Sequence, residues 1–299
     1  MYFQYPANLK IGLEKKTIIL NFDDSVIMPD NIKRFDLRSF EEKIRYIAKN
    51  RDMRRLESII KEEVEKRRIF FLGSGDFHHV SYSLIKQIPL EELQVVVFDN
   101  HPDNMFLPYG IHCGSWVYHA SRLPNVSTVS VFGIASKDLT GPDLFQNRFS
   151  VVKSGKVKYY SLTPVSRLAN LLSGYKIVDL RNSTKSYVEI LREDVISKNK
   201  PVYLSIDKDV LSDNVVRTTW DQGRMSEVEL LECVRELAPY AAAADVVGDI
   251  SFYNHRNPVK RLMRCLDKYE HPPIVIEEER LRHANINMKI LSSLNEVLI

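Results

Sequence analysis

Three apolar runs, each ending in a cluster of Asp and His, constrain this chain more than any other feature. Phe70-Phe-Leu72 leads into Gly73-Ser-Gly-Asp-Phe-His-His79. Val95-Val-Val-Phe98 leads into Asp99-Asn-His-Pro-Asp-Asn104. Val202-Tyr-Leu204 leads into Ser205-Ile-Asp-Lys-Asp209. Runs that are apolar at every position describe strands covered on both faces, as in parallel sheets. Residues 17–22, 69–72, 94–98, 128–134, 157–161, 202–206, 245–250 and 273–277 read as strands on this basis. Helical spacing fills the gaps at 40–66, 80–88, 164–172, 226–237, 259–266 and 286–299, with Asn50-Arg-Asp52 expected to break the first into two. Ser226-Glu-Val-Glu229 has the form of a capping box. Strand and helix in alternation predict an α/β fold with a mainly parallel sheet. No Pro-, Gly- or Ser-rich linker interrupts it, so residues 1–299 read as one domain.

Composition narrows the function classes. The net charge is only +3, from 42 basic and 39 acidic residues, so no pull toward nucleic acid is expected. The basic stretch between Lys43 and Arg68 is interleaved with Glu and Asp and reads as a solvated helix face. Cys113, Cys233 and Cys265 are odd in number and far apart, which argues against a disulfide framework or a thiolate zinc site. No apolar run reaches membrane-spanning length, and the N-terminus lacks the pattern of a secretory signal. The expected setting is cytoplasmic, with a small-molecule substrate, no membrane or nucleic-acid partner, and a homo-oligomer as an open option.

The polar residues after the three strands carry the chemistry. Ligands of parallel sheets bind beyond the carboxyl ends of the strands. Asp99, His101 and Asp103 are two apart, the period of an extended chain, and so are Asp207 and Asp209. Either set alone fits a solvated turn or a helix cap. Together, two His and four Asp at one sheet edge would repel one another unless divalent cations intervene. Mixed imidazole and carboxylate ligands suit Mn²⁺, Zn²⁺ or Fe²⁺. Six ligands suffice for two metals sharing carboxylates, about 3.5–4 Å apart with a bridging hydroxide between them.

These residues resemble the ureohydrolase family of arginase, agmatinase and formiminoglutamase. That family carries Gly-Gly-Asp-His-Ser, then Asp-Ala-His-x-Asp, then Ser-x-Asp-x-Asp, in the order found here between Gly73 and Asn254. The resemblance implies an arginase-like three-layer α/β/α fold and a binuclear Mn²⁺ centre. Matched motif by motif, Asp99 and Asp207 would bridge both metals. His78 and Asp103 would complete one site, His101 and Asp209 the other. The first motif has one extra residue, so His78 or His79 can be the ligand. His78 is preferred because Val80, Tyr82 and Ile85 then fall where the family's next helix is apolar. His79 then takes the family's Ser position. His112 resembles a family histidine that relays protons near the substrate, so His112, Asp103 and His79 form the expected catalytic set. Asn104 stands near a family substrate-binding position.

The chain departs from the family late. The family's last motif, Asp-Ile-x-Glu-x-Asn-Pro, grips the substrate guanidinium through its Glu. Here the sequence is Asp249-Ile-Ser-Phe-Tyr-Asn-His255, with Phe252 at the Glu position. A neutral ring cannot make the paired charge-assisted bonds that hold a guanidinium. The expectation is a hydrolase of linear amidine or amide C–N bonds whose substrate is neither arginine nor agmatine. Trp220 and Phe252, with Tyr253 and Arg224, are candidates to line its pocket. Two alternatives stand. One is a deacetylase-like amidohydrolase with a single Zn²⁺ held by Asp99, His101 and Asp207 beside the tandem His78-His79. The other is a metal-stabilised scaffold without catalysis.

Overall fold

The computed structural model describes residues 16–267 and 276–295. Its centre is a nine-stranded sheet in which every neighbouring pair runs parallel. The strands are β1 (Thr17–Asn21), β2 (Lys33–Asp36), β4 (Ile69–Gly73), β5 (Leu93–Phe98), β7 (Val126–Ile134), β8 (Val157–Ser161), β9 (Ile177–Asp179), β10 (Val202–Asp207) and β11 (Ala241–Val247). They lie in the order β2-β1-β4-β11-β10-β5-β7-β8-β9. Two short strands, β3 (Ile47–Ala48) and β6 (Ile111–His112), pair antiparallel outside it.

Continuous apolar strands follow from cover on both faces. In β5, Val95 and Val97 join one core while Val96 and Phe98 join the other; β4 divides Phe70 and Leu72 from Ile69 and Phe71 in the same way. The first core is roofed by Asn50–Lys66, Val80–Lys86 and Trp116–Ser121. The second is roofed by Tyr187–Asp194, Glu227–Leu237 and Ile276–Asn295. The result is a three-layer α/β/α sandwich.

Several sequence expectations shift. Ser226 does cap Glu227–Leu237 in a full capping box with Glu229. The stretch 40–66 does divide into two helices, Glu41–Ile44 and Asn50–Lys66, but the break lies before Asn50, which opens the second, because the chain turns through Tyr46 at φ 71° and forms β3. The strand expected at 245–250 starts earlier, at Ala241, and ends at Val247 where Gly248 turns at φ 88°. Four alanines are a weak strand signal, but between β4 and β10 tertiary pairing overrides propensity. Of the strand expected at 273–277, Ile276 and Glu277 are helical, the opening of Ile276–Asn295, whose first turn carries Glu277, Glu278 and Glu279; residues 273–275 lie outside the described ones. β2, β9 and the helices Trp116–Ser121 and Tyr187–Asp194 carry no strong run of their own in the sequence. Among the described residues, no helix is long and apolar enough to cross a membrane. All three cysteines are free thiols.

Candidate metal centre

Strands β5 and β10 are neighbours, and β11 separates β10 from β4. Their carboxyl ends therefore converge at the middle of the sheet, and the three motifs meet there. His78 Nδ1 lies 3.0 Å from Asp103 Oδ2, 3.2 Å from Asp99 Oδ2 and 3.4 Å from Asp207 Oδ2. His101 Nδ1 lies 3.0 Å from Asp209 Oδ2 and 3.5 Å from Asp99 Oδ1. Two groups, His78–Asp99–Asp103 and Asp99–His101–Asp209, each offer ligand atoms within 4.8 Å of one another, and Asp99 belongs to both. All four Asp and His78 are buried.

Local backbone explains the convergence. His101 N–H donates to Asp99 Oδ1 at 2.6 Å, and Asp209 N–H to Asp207 Oδ1 at 3.1 Å, so each strand-end carboxylate caps the turn that follows it. Asn100 N–H donates to Asp209 Oδ1 at 3.0 Å and ties β5 to β10. Asp103 sits at φ 45°, a left-handed conformation uncommon outside Gly, Asn and Asp. Trp116 Nε1 donates to its Oδ2 at 2.7 Å. Two glycines make room for Asp207. A Cβ on Gly75 would stand 3.0 Å from its Oδ2, and one on Gly248 would stand 2.5 Å from its Oδ1.

The electrostatics ask for cations. Burial, then repulsion from Asp99, raises Asp103 to about 8, and burial is also the main cause that raises Asp207 to about 6. Burial and the neighbouring Asp207 and Asp99 raise Asp209 well above the carboxylate range. Burial works to raise Asp99 too, but hydrogen bonds from His101 and His78 outweigh it and hold it low. Both histidines are raised against burial by the carboxylates around them. The cluster thus carries protons where divalent ions would sit. Asp99 Oδ2 is buried with the His78 ring nitrogen 3.2 Å away, a contact that a shared cation would take over. The residues present therefore fit two cations with mixed His and Asp ligands.

Of the partners behind the ligands, only Ser205 stood in one of the three motifs. His78 Nε2 lies 2.9 Å from Ser205 Oγ, which donates to Asp245 Oδ1 at 2.8 Å; Tyr203 also donates to Asp245. His101 Nε2 lies 2.7 Å from Asp221 Oδ1, and Asn100 Nδ2 donates to the Asp221 carbonyl at 2.9 Å. Such partners turn Nδ1 of each ring toward the metal side. Asp245 had a signal, since it is an Asp inside an apolar strand. Asp221 had only its place in the altered 218–224 loop.

The remaining candidates are placed unequally. Trp220 is beside the cluster, edge-on to His101 with ring centroids 5.9 Å apart, and it stacks on Tyr46 at 6.3 Å. His112 is buried against Tyr46, and its Nδ1 accepts from Gly114 N–H at 2.9 Å. Burial pulls its pKa down to about 4, so its ring is neutral at pH 7. His79 is fully buried, kept neutral by burial, and neither ring nitrogen finds a hydrogen-bond partner among the described residues. Asn104 Nδ2 turns inward, donating to Tyr159 Oη at 2.6 Å and the Arg148 carbonyl at 3.1 Å. Phe252 is 45% exposed. Beside it, Ser251 binds Arg45 Nη2 through Oγ at 2.6 Å, and the buried Arg45 also engages Asp76 at 2.8 Å and Glu41 at 2.7 Å.

Comparison with known proteins bears on the fold and the family. An uncharacterized protein of Thermotoga maritima is 29% identical over 209 residues, 70% of this chain and 68% of that one. The fold is similar to the agmatine ureohydrolase of Thermoplasma volcanium (TM-score 0.56, 13% identity, 99% of this chain and 96% of that one). It is also similar to proclavaminate amidino hydrolase of Streptomyces clavuligerus (TM-score 0.52, 16% identity, 83% and 71%) and to formimidoylglutamase of Bacillus subtilis (TM-score 0.51, 15% identity, 82% and 68%). The model of the Arginase family matches residues 13–257. With that match spanning most of its length, the chain belongs to the arginase family.

Proposed function

We propose that this chain is a metal-dependent hydrolase of linear amidine or amide C–N bonds, acting on a substrate other than arginine or agmatine. The carrying observation is the pair of ligand groups that share Asp99. His78, Asp103 and the shared Asp99 and Asp207 would hold one Mn²⁺; His101, Asp209 and the same two carboxylates would hold the other. Bound there, the two ions supply a water activated at neutral pH and polarise the scissile C=N or C=O.

The chain's own residues do the rest. Ser205 and Asp221 fix the two imidazoles from behind. His112 accepts at Nδ1 from a backbone N–H, so its neutral ring keeps its proton on Nε2. From there it would donate a hydrogen bond to the substrate, while the proton that the departing nitrogen takes up would come from the attacking water. Trp220 stands edge-on to His101 beside the cluster. Phe252 offers no charge to a guanidinium, and the nearby carboxylates Asp76 and Glu41 are already engaged by Arg45.

The test is metal content per chain by mass spectrometry after reloading with Mn²⁺, followed by amidine and amide substrate screens. Two equivalents are expected, falling to one in Asp209→Ala and to none in Asp99→Ala. A single tightly held Zn²⁺ in the wild type would replace this reading with a mononuclear, deacetylase-like site. No metal, or two metals without turnover on any amidine or amide, would favour a scaffold role.

A further inference from the structure

Between Asp103 and Asp138 the chain holds no Asp or Glu; its charged side chains there are Arg122 and Lys137, with His112 and His119. The helix Trp116–Ser121 lies in this stretch. Its Trp116 is fully buried and turned to Asp103, whereas Tyr118 and His119 keep part of their surface in solvent. Arg122 follows at the C-terminal cap and is exposed.

Arg148 joins this surface from further along the chain. Its backbone is tied down: Arg148 N–H donates to the Asn104 carbonyl at 3.0 Å, and Asn104 Nδ2 donates to the Arg148 carbonyl at 3.1 Å. Its guanidinium lies against two rings, with Cζ 3.9 Å from the Tyr118 centroid and 4.5 Å from that of Phe106. Arg122 reaches the same tyrosine, its Cζ 5.4 Å from the centroid and its Nη1 donating to Tyr118 Oη at 2.7 Å. His119 stands edge-on to that ring with centroids 5.4 Å apart. Burial, then the charges of Arg148 and Arg122, lower its pKa to about 4, so both cations lie close to it.

Two guanidiniums thus share one phenol ring with no acid between them. Among the described residues no carboxylate pairs with either, and the Arg148 guanidinium makes no hydrogen bond; its Nε is buried and unpartnered. A guanidinium carries its five donors in its plane and offers its faces to aromatic rings. Stacking therefore occupies the faces of Arg148 and leaves the donor edge. Arg45 shows the contrast within this chain. It also lies against two rings, Phe77 and Tyr253, but its donors are taken up by Asp76, Glu41 and Ser251. Arg148 has no such acceptors, is partly open to solvent, and has Phe106 beside it with 57% of its surface exposed.

We propose that Arg148 and Arg122 form an anion site on the surface beside the helix Trp116–Ser121, one that takes the phosphate group of a small molecule. A carboxylate satisfies one guanidinium fork; a tetrahedral phosphate has acceptor oxygens enough for two. Its charge also offsets the repulsion between the two arginines. The site goes beyond the metal-centre reading and does not depend on it.

The test is calorimetry on the full chain, with and without Mn²⁺, against inorganic phosphate, AMP and adenosine at constant ionic strength. Phosphate or AMP should bind with a dissociation constant of about 1 mM or tighter, and adenosine should not. Binding should persist in the metal-free chain, which separates it from phosphate held on Mn²⁺. Affinity for AMP no greater than for phosphate identifies free phosphate as the ligand. Tighter AMP identifies a phosphate ester whose carrier rests on Phe106, and Phe106→Ala should then erase the difference. Arg148→Gln and Arg122→Gln should each weaken binding about tenfold or more, the low end for a hydrogen bond to a charged group. Arg122 is exposed, so its variant reads the site without disturbing the core, and thermal melts check that Arg148→Gln is folded. No binding of phosphate or AMP to the metal-free chain, binding that survives both substitutions, or adenosine binding as tightly as AMP overturns the proposal.

Discussion

Lys208 stands between two proposed metal ligands yet points away from them, and replacing it tests how the site is supported from below. Its Nζ lies 2.8 Å from Asp249 Oδ1 and 2.8 Å from Asn287 Oδ1, and Asn287 Nδ2 donates to Asp249 Oδ1 at 3.0 Å. All three residues are fully buried, and Asp249 Oδ2 has no hydrogen-bond partner among the described residues. This triad joins β10, the end of β11 and the helix Ile276–Asn295. Lys208→Met removes the only cation paired with Asp249 among the described residues and strands its charge in the interior. Breaking a buried pair from one side costs about 3–5 kcal/mol, although the pair itself nearly breaks even with apolar residues of similar volume. Against a total stability of about 5–15 kcal/mol, that is a fifth or more. The assay is urea denaturation, followed by circular dichroism, of the wild type, Lys208→Met, Asp249→Leu and the double variant. Each single change should lower stability by about 3–5 kcal/mol with the slope unchanged, and the double should recover most of the loss. A single variant costing less than about 1 kcal/mol, or a double that costs the sum of the singles, would refute the argument from stranded charge.

Two further outcomes follow from the geometry. Asp221→Asn weakens the grip on His101 Nε2, so affinity for one of two Mn²⁺ ions should drop about 10- to 100-fold while the other is unchanged; equal loss at both sites would contradict it. The metal-free chain should lose stability as pH rises from about 6.5 to 8. Asp103 (about 8), Asp209, His78 and His101 are raised, so the folded chain holds protons that the unfolded chain releases, and their contribution fades as pH climbs toward the folded values; that of Asp207 (about 6) is largely gone before the window opens. The lowered His79, His112, His119, His255 and His283 act the opposite way mainly below the ordinary histidine value of 6.5, fading through the lower part of the window, and Lys260, lowered to about 8, opposes mainly above it. Thermal melts across that range should show the decline, and saturating Mn²⁺ should abolish it; a flat or rising profile without metal would refute the assignment.

The sequence by itself determined the material of the centre. Continuous apolar runs such as Val95–Phe98 can only be satisfied by cover on both faces, so they announced parallel strands, and the period of two in Asp99, His101 and Asp103 announced side chains on one face. The Ser226 capping box was legible for the same reason: its hydrogen bonds join residues three apart. What depends on long-range pairing was not legible. Strand order placed β11 between β4 and β10 and turned an alanine run into a central strand. Only folding joined Asp221 to His101 across 120 positions and Arg264 to Asp76 across 188. It also turned Asn104 inward, toward Tyr159, and left Phe252 half exposed. A ligand motif is written by local periodicity, but the groups that orient it and the pocket that selects for it are brought together by the sheet, and no local pattern encodes that distance.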